Sequence, residues 1–195
     1  MSKKFIVTVF LVVAFILGFA RFTGNSTTST DKQPLPPQDS LNAMIGKPAL
    51  DFTLNDQAGK PFTLSAMKGK TVILFFNEGI GCYPACWNQI AALGTDSNLN
   101  NDKIITASVV VDSPSDWTTA FKKMPDLNKE MLLFDTSKVV STKYELLSLG
   151  SSMHKSSAPG HTYIIVDQSG IVRYVKDDVQ MGIRNSDLQA EVDKL

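Results

Sequence analysis

Hydrophobic positions along the chain fall into three regimes. Phe5 to Ala20 is an unbroken apolar run, FIVTVFLVVAFILGFA. Thr23 to Ser40, TGNSTTSTDKQPLPPQDS, is nearly devoid of aliphatic side chains. From Leu41 onward short apolar runs alternate with polar segments, as in a chain that packs elements around a core.

Within that third part the patterns change period from one segment to the next. Ala49–Leu54 and Pro61–Leu64 alternate about the turn residues of Asp56–Lys60, which predicts a small hairpin. Val72–Phe76 is continuously apolar, the mark of a strand buried on both faces, and Ile104–Val111 is a second such strand rich in β-branched residues. Between them a helix is expected from Tyr83 or Pro84, since proline suits a first helical turn, to about Gly94, a C-terminal cap. Ser115 or Asp116 caps a helix through Phe121. Met131–Phe134 reads as a short strand and Ser137–Leu146 as a short helix. Thr162–Val166 and Ile171–Val175 flank Asp167–Gly170, a hairpin signal, and Asn185 or Ser186 starts a final helix. Strand and helix alternate, then a terminal hairpin follows, so the expected class is α/β with a sheet of mixed strand directions.

The first two regimes set the expected domain organisation. Sixteen apolar residues are long for a signal-peptide core and slightly short for a membrane span. Gly18-Phe19-Ala20 offers small residues to a signal peptidase. Residues 1–22 are therefore expected to be a transmembrane anchor or a signal segment. Lys3 and Lys4 before the run, against Arg21 after it, place the amino terminus inside and the remainder outside the cytoplasm. Residues 23–40, with three prolines and a Ser/Thr run, cannot bury enough surface to fold and are expected to be a flexible tether. Residues 41–195 form the working domain, at the cell membrane if the anchor is retained and exported if it is cleaved.

Composition adds exclusions. The 195 residues carry a formal net charge of zero, and Leu41–Leu195 holds 15 basic and 17 acidic residues, so there is no basic surplus to hold nucleic acid. Two cysteines exclude a disulfide-dense scaffold. Those two, Cys82 and Cys86, carry the chemistry.

Phe75-Phe76-Asn77-Glu78-Gly79-Ile80-Gly81-Cys82-Tyr83-Pro84-Ala85-Cys86-Trp87 runs from a buried strand through a glycine-flanked loop into a helix. Cys82 sits at or just before the first turn, where unpaired N–H groups and the helix dipole favour a thiolate. Cys86, Ile90 and Leu93 share a helical face, so Cys86 points inward. The pattern predicts an exposed attacking sulfur, Cys82, and a shielded resolving sulfur, Cys86, near enough to bridge. A structural disulfide gains little from so short a loop, and a zinc site needs more ligands than two thiols.

GKPALDFTLNDQAGKPFTLSAMKGKTVILFF, the cysteine at a strand-to-helix turn, and HTYIIVDQSGIVRYV together resemble the thioredoxin-fold group of alkyl hydroperoxide reductase and thiol-specific antioxidant proteins. That resemblance implies a thioredoxin-like mixed sheet flanked by helices, with an N-terminal hairpin extension. The group includes peroxiredoxins, TlpA/ResA-type thiol–disulfide reductases and Sco copper proteins. Peroxiredoxins resemble the chain at the nucleophile, Cys82, but place Thr or Ser, Pro and Arg where Gly79, Phe75 and His161 stand here. TlpA/ResA proteins share the exported, tethered arrangement, yet carry two residues between their cysteines and a cis-proline where His161 stands. Sco proteins resemble it in Cys-x-x-x-Cys and in a histidine, here His161, which implies a Cu(I) site of Cys82, Cys86 and His161; they differ at Trp87, where they have proline.

Other candidates take their places around the pair. His161 reads as a partly exposed polar residue making a local hydrogen bond, as a copper ligand, or as a charge tuning the Cys82 thiolate. Glu78 reads as a loop carboxylate or a proton acceptor. Tyr83 and Trp87 are expected to shape the rim, Asp112 to face the site from a strand end or to cap a turn, and His154 to be solvated in a polar loop. The expected function is thiol–disulfide or peroxide reduction by Cys82 and Cys86, with no cofactor and with a protein thiol or disulfide partner outside the cytoplasm. Cu(I) delivery or sensing is the alternative.

Overall fold

A computed structural model of the chain describes residues 37–195. The expected anchor or signal segment, and residues 23–36 of the expected tether, lie outside the described residues. The first described element, helix α1 (Pro37–Asn42), takes in the last residues of the segment read as tether. Leu41, buried to 1% exposure, draws that turn onto the domain.

Strands β1 (Thr53–Asn55) and β2 (Pro61–Thr63) form the expected antiparallel hairpin. Its turn is held by the Asp56 carboxylate, which accepts the N–H groups of Ala58 and Lys60 at 2.8 Å each. The main sheet has five strands: β3 (Thr71–Phe76), β4 (Ile104–Val110), β5 (Leu132–Phe134), β6 (Thr162–Val166) and β7 (Val172–Asp177). Their order is β5-β4-β3-β6-β7, with β3–β4 and β4–β5 parallel and β3–β6 and β6–β7 antiparallel. This is the mixed, thioredoxin-like arrangement, and the continuously apolar β3 lies at its centre with every residue buried.

Alternation along β3 divides the core. Ile73 and Phe75 face helix α2 (Ala85–Thr95) and pack with Cys86, Ile90 and Leu93. Val72, Leu74 and Phe76 face the other way and join Phe52 and Phe62 of the hairpin and Tyr144. The remaining helices are α3 (Trp117–Lys123), α4 (Val139–Lys143) and α5 (Asn185–Val192).

Three expected boundaries shift for identifiable reasons. Gly94 lies inside α2 rather than capping it, and the glycine is there for clearance: a methyl group would meet the Lys129–Glu130 backbone. The helix expected over Ser137–Leu146 is split, because Glu145 adopts a left-handed φ of 56° and only a 3-10 turn, Leu146–Ser148, follows. Ile171 bridges to Pro48 instead of opening β7, which runs on to Asp177.

One buried charge-bearing group belongs to this frame. Glu130 is fully buried, accepting hydrogen bonds from Thr106 Oγ1 at 2.7 Å and Ser108 Oγ at 3.3 Å. Loss of solvent outweighs those two bonds and pushes its carboxyl up to about 8.

Candidate active site

β3 delivers the chain to the cysteines through a turn pinned at both ends. Asn77 Oδ1 accepts the Gly79 N–H at 2.9 Å, and its amide donates to the Phe75 carbonyl at 3.2 Å. Gly79 has φ of 60° and lies against the Asp112 carboxylate, so a side chain there would be strained and would collide. Asp112 Oδ2 accepts the Ile80 N–H at 3.0 Å and Trp117 Nε1–H at 3.2 Å. Burial raises its carboxyl above the ordinary aspartate value. Asp112 answers to both readings: it faces the cysteine turn and caps it, a clasp between the segment after β4 and the loop that carries Cys82.

Cys82 and Cys86 form a disulfide, with Cα atoms 5.4 Å apart, within the ordinary range for such a bridge. Cys82 stands three residues ahead of α2, the second of the two expected placements, just before the first turn. Its carbonyl accepts the Cys86 N–H at 2.9 Å and so starts the helical ladder. Cys86 points inward, as the periodicity predicts, at 0% exposure. Cys82 is also buried, at 3%, which corrects the expectation of an exposed sulfur: bridging turns it in toward Cys86, while Gly81 and Tyr83 on either side stay exposed.

His161 is where the structure departs most from the sequence reading. It is fully buried, not a partly exposed polar residue, and it meets Cys86 rather than Cys82. Nδ1 lies 3.6 Å from Cys86 Sγ, Nε2 lies 2.7 Å from the Tyr163 hydroxyl, and the ring stands edge-on to Phe75 at 4.6 Å. Burial lowers its pKa to about 4, outweighing the pull of Asp178 and a backbone hydrogen bond with Gly182. Tyr163 was not singled out from the sequence. The signal that finds it is the two-residue spacing from His161 along β6, which puts both on one face.

Glu78 is a loop carboxylate, with a larger structural role than that phrase suggests. Its Oε1 accepts from the N–H groups of Met153 at 2.5 Å and His154 at 2.9 Å, and from Ser152 Oγ at 3.3 Å. These bonds tie the 151–157 loop to the cysteine turn. His154 is exposed as expected, but its Nδ1 lies 3.4 Å from Glu78 Oε1, so it is not merely solvated. Tyr83 forms the rim at 53% exposure, edge-on to Trp87 at 5.0 Å and under Lys123 Nζ at 3.9 Å; Trp87 itself is buried beneath it.

The AhpC/TSA family model matches residues 45–175. The chain belongs to the AhpC/TSA family. As a member it is a thiol-dependent oxidoreductase or peroxidase. No curated protein matches it in sequence. Solved structures share the fold of this AhpC/TSA protein at low identity. The reduced 2-Cys peroxiredoxin of Plasmodium vivax is 21% identical over 77% of this chain and 80% of its own, with a TM-score of 0.63. The peroxidoxin BcpB of Mycobacterium tuberculosis is 17% identical over 78% and 97%, TM-score 0.63. The yeast mitochondrial 1-Cys peroxiredoxin, described for thiol resolution through glutathione and thioredoxin systems, is 14% identical over 76% and 74%, TM-score 0.63.

The Cu(I) alternative asks for two thiolates and an imidazole. With both sulfurs in the disulfide only His161 retains a donor, and among the described residues no cluster of three His, Cys, Asp or Glu side chains is placed to hold a metal. The oxidised site does not fit the ion.

Proposed function

We propose that this AhpC/TSA protein is a thiol–disulfide oxidoreductase working outside the cytoplasm, with Cys82 as attacking and Cys86 as resolving sulfur. The observation that carries the reading is the Cys82–Cys86 disulfide itself, set at the turn between the central strand and α2. A bridge closing so short a loop adds little to stability, so opening it leaves the fold in place. In the proposed cycle the Cys82 thiolate attacks a disulfide R–S–S–R′, releasing R′S⁻ and leaving Cys82–S–S–R. Cys86 then displaces RS⁻ and closes the Cys82–Cys86 bond. A thiol reductant restores the dithiol, and the resolution chemistry described for the yeast neighbour supports a glutathione-like or thioredoxin-like donor. The apolar run Phe5–Ala20 behind Lys3 and Lys4 supports the extracytoplasmic setting.

Disulfides are favoured over peroxides as the substrate class. Hydrogen-bond donors aimed at a departing oxygen supply much of a peroxidatic rate. Gly79 and Phe75 bring no side-chain donor, and the His161 ring is engaged by Tyr163 and Cys86.

The test is a comparison of reduced full-length protein against an aromatic disulfide and against hydrogen peroxide. Disulfide exchange is expected to be the faster reaction, and Cys82→Ser is expected to abolish it. Faster Cys82-dependent consumption of peroxide would make the protein a peroxidase. An anaerobic Cu(I) competition titration of the same reduced chain is expected to show weak, non-stoichiometric binding. A tight one-to-one complex lost in His161→Ala would replace this reading with copper handling.

A further inference from the structure

We propose that His161, oriented by Tyr163, accepts the Cys86 proton in the step that closes the Cys82–Cys86 disulfide; this rests on the resolving role given to Cys86 above. A buried thiol needs such a group. Removal from solvent disfavours its thiolate, and the thiolate is the form that attacks. Cys86 is at 0% exposure, with the His161 Nδ1 atom 3.6 Å from its sulfur, a contact distance for sulfur and nitrogen.

The step needs a free Nδ1, and Tyr163 is placed to hold the tautomer that provides it. A neutral imidazole has one N–H and one lone pair. A tyrosine hydroxyl donates or accepts, so the 2.7 Å contact with Nε2 fits either tautomer; the step uses the one in which Nε2–H donates to the Tyr163 oxygen and the Nδ1 lone pair faces the reduced Cys86. Burial pushes the Tyr163 phenol up, so it stays neutral in this role. The phenyl ring of Phe75, stacked on Tyr163 at 4.8 Å and edge-on to His161, fixes both planes. The charged and titratable groups facing the imidazole are Asp177 and Asp178 at the end of β7, Arg184 beyond it, Tyr163 on β6 and Cys86 on α2. Arg184 is paired with Asp178 at 2.7 Å, which offsets the pull of that carboxylate on the ring.

The step balances without any further oxidant. Starting from Cys82–S–S–R and Cys86–SH, the thiol proton passes to Nδ1 while the Cys86 sulfur attacks the Cys82 sulfur. The Cys82–S–S–R bond breaks and its electron pair leaves on RS⁻. The imidazolium then gives up its proton, and the products are the Cys82–Cys86 disulfide and RSH.

Single-turnover reaction of the reduced full chain with one equivalent of 5,5′-dithiobis(2-nitrobenzoate) tests this, because two coloured thiols are released in sequence. The first marks attack by Cys82 and the second marks closure by Cys86. In the unaltered chain the second phase is expected to vary little between pH 6 and 9. In H161Q, which keeps a polar side chain of similar length, it should slow about 100-fold at pH 6.5 and recover roughly tenfold per pH unit. Y163F should slow the same phase by about tenfold at pH 6.5 with the second release still complete. A second phase in H161Q that is unchanged, or slowed equally at every pH, would overturn the proposal and leave His161 a packing residue. Absence of the second release in the unaltered chain, or its full retention in C86S, would instead remove the resolving role of Cys86.

Discussion

Cys86→Ser is expected to halt catalysis after one event, leaving a covalent adduct on Cys82. With a disulfide substrate, the first equivalent of leaving thiol should appear in a burst, and the steady rate should then fall at least about 100-fold, because a serine hydroxyl does not displace a thiolate from sulfur. The variant should fold. The loop closed by the native bridge spans only four positions, so its loss changes chain entropy little. A hydroxyl at position 86 also finds a hydrogen-bond partner in His161 Nδ1, the atom that lies against the native sulfur. Mass spectrometry of the stalled protein should show a single adduct removed by dithiothreitol. A variant that turns over at the original rate with no adduct would show that an external thiol, not Cys86, resolves the intermediate.

Glu130→Gln should change the dependence of stability on pH, and two buried groups must be weighed to see where. Glu130 has its folded pKa raised from 4.5 to about 8 by burial, so it stabilises the fold fully below pH 4.5 and loses that contribution as pH rises through 8. His161 has its folded pKa lowered from 6.5 to about 4, so stability falls on acidification from 6.5 toward 4. Each contributes a slope of about 1.4 kcal/mol per pH unit, and between about pH 4.5 and 6.5 the two slopes oppose each other. Above 6.5 only the glutamate acts. Unfolding free energy of the unaltered chain is expected to fall by about 2 kcal/mol from pH 6.5 to 8, while E130Q stays nearly level there. Below 6.5 the variant should lose stability toward acid, uncovering the histidine. Urea titrations at four or five pH values decide it; parallel curves for the two proteins would show that Glu130 is not the group responsible.

The sheet and its helices were legible because β3 and β4 announce themselves as unbroken apolar runs and the Asp167–Gly170 turn as a hairpin. The inward aim of Cys86 followed from its spacing to Ile90 and Leu93. What stayed hidden depends on contacts between distant segments. Gly94 reads as a helix stop from composition alone, whereas its purpose is clearance for the 129–130 backbone. His161 reads as one polar residue ahead of a strand, and only the Phe75↔Tyr163 register places it under α2. Glu130 gives no periodic signal at all: it sits between elements, and its burial depends on where Thr106 and Ser108 face.

The antiparallel seating of β6 on β3 also bears on the order in which the protein matures. The two cysteines are near neighbours in sequence and can find each other with little chain closure, whereas His161 lies 75 positions beyond Cys86 and arrives only when the last hairpin docks. A nascent chain exposed to an oxidising surrounding can therefore acquire its disulfide before the imidazole is in place. On the role proposed for His161, reversible use of that bond would begin only when the C-terminal part of the sheet is complete.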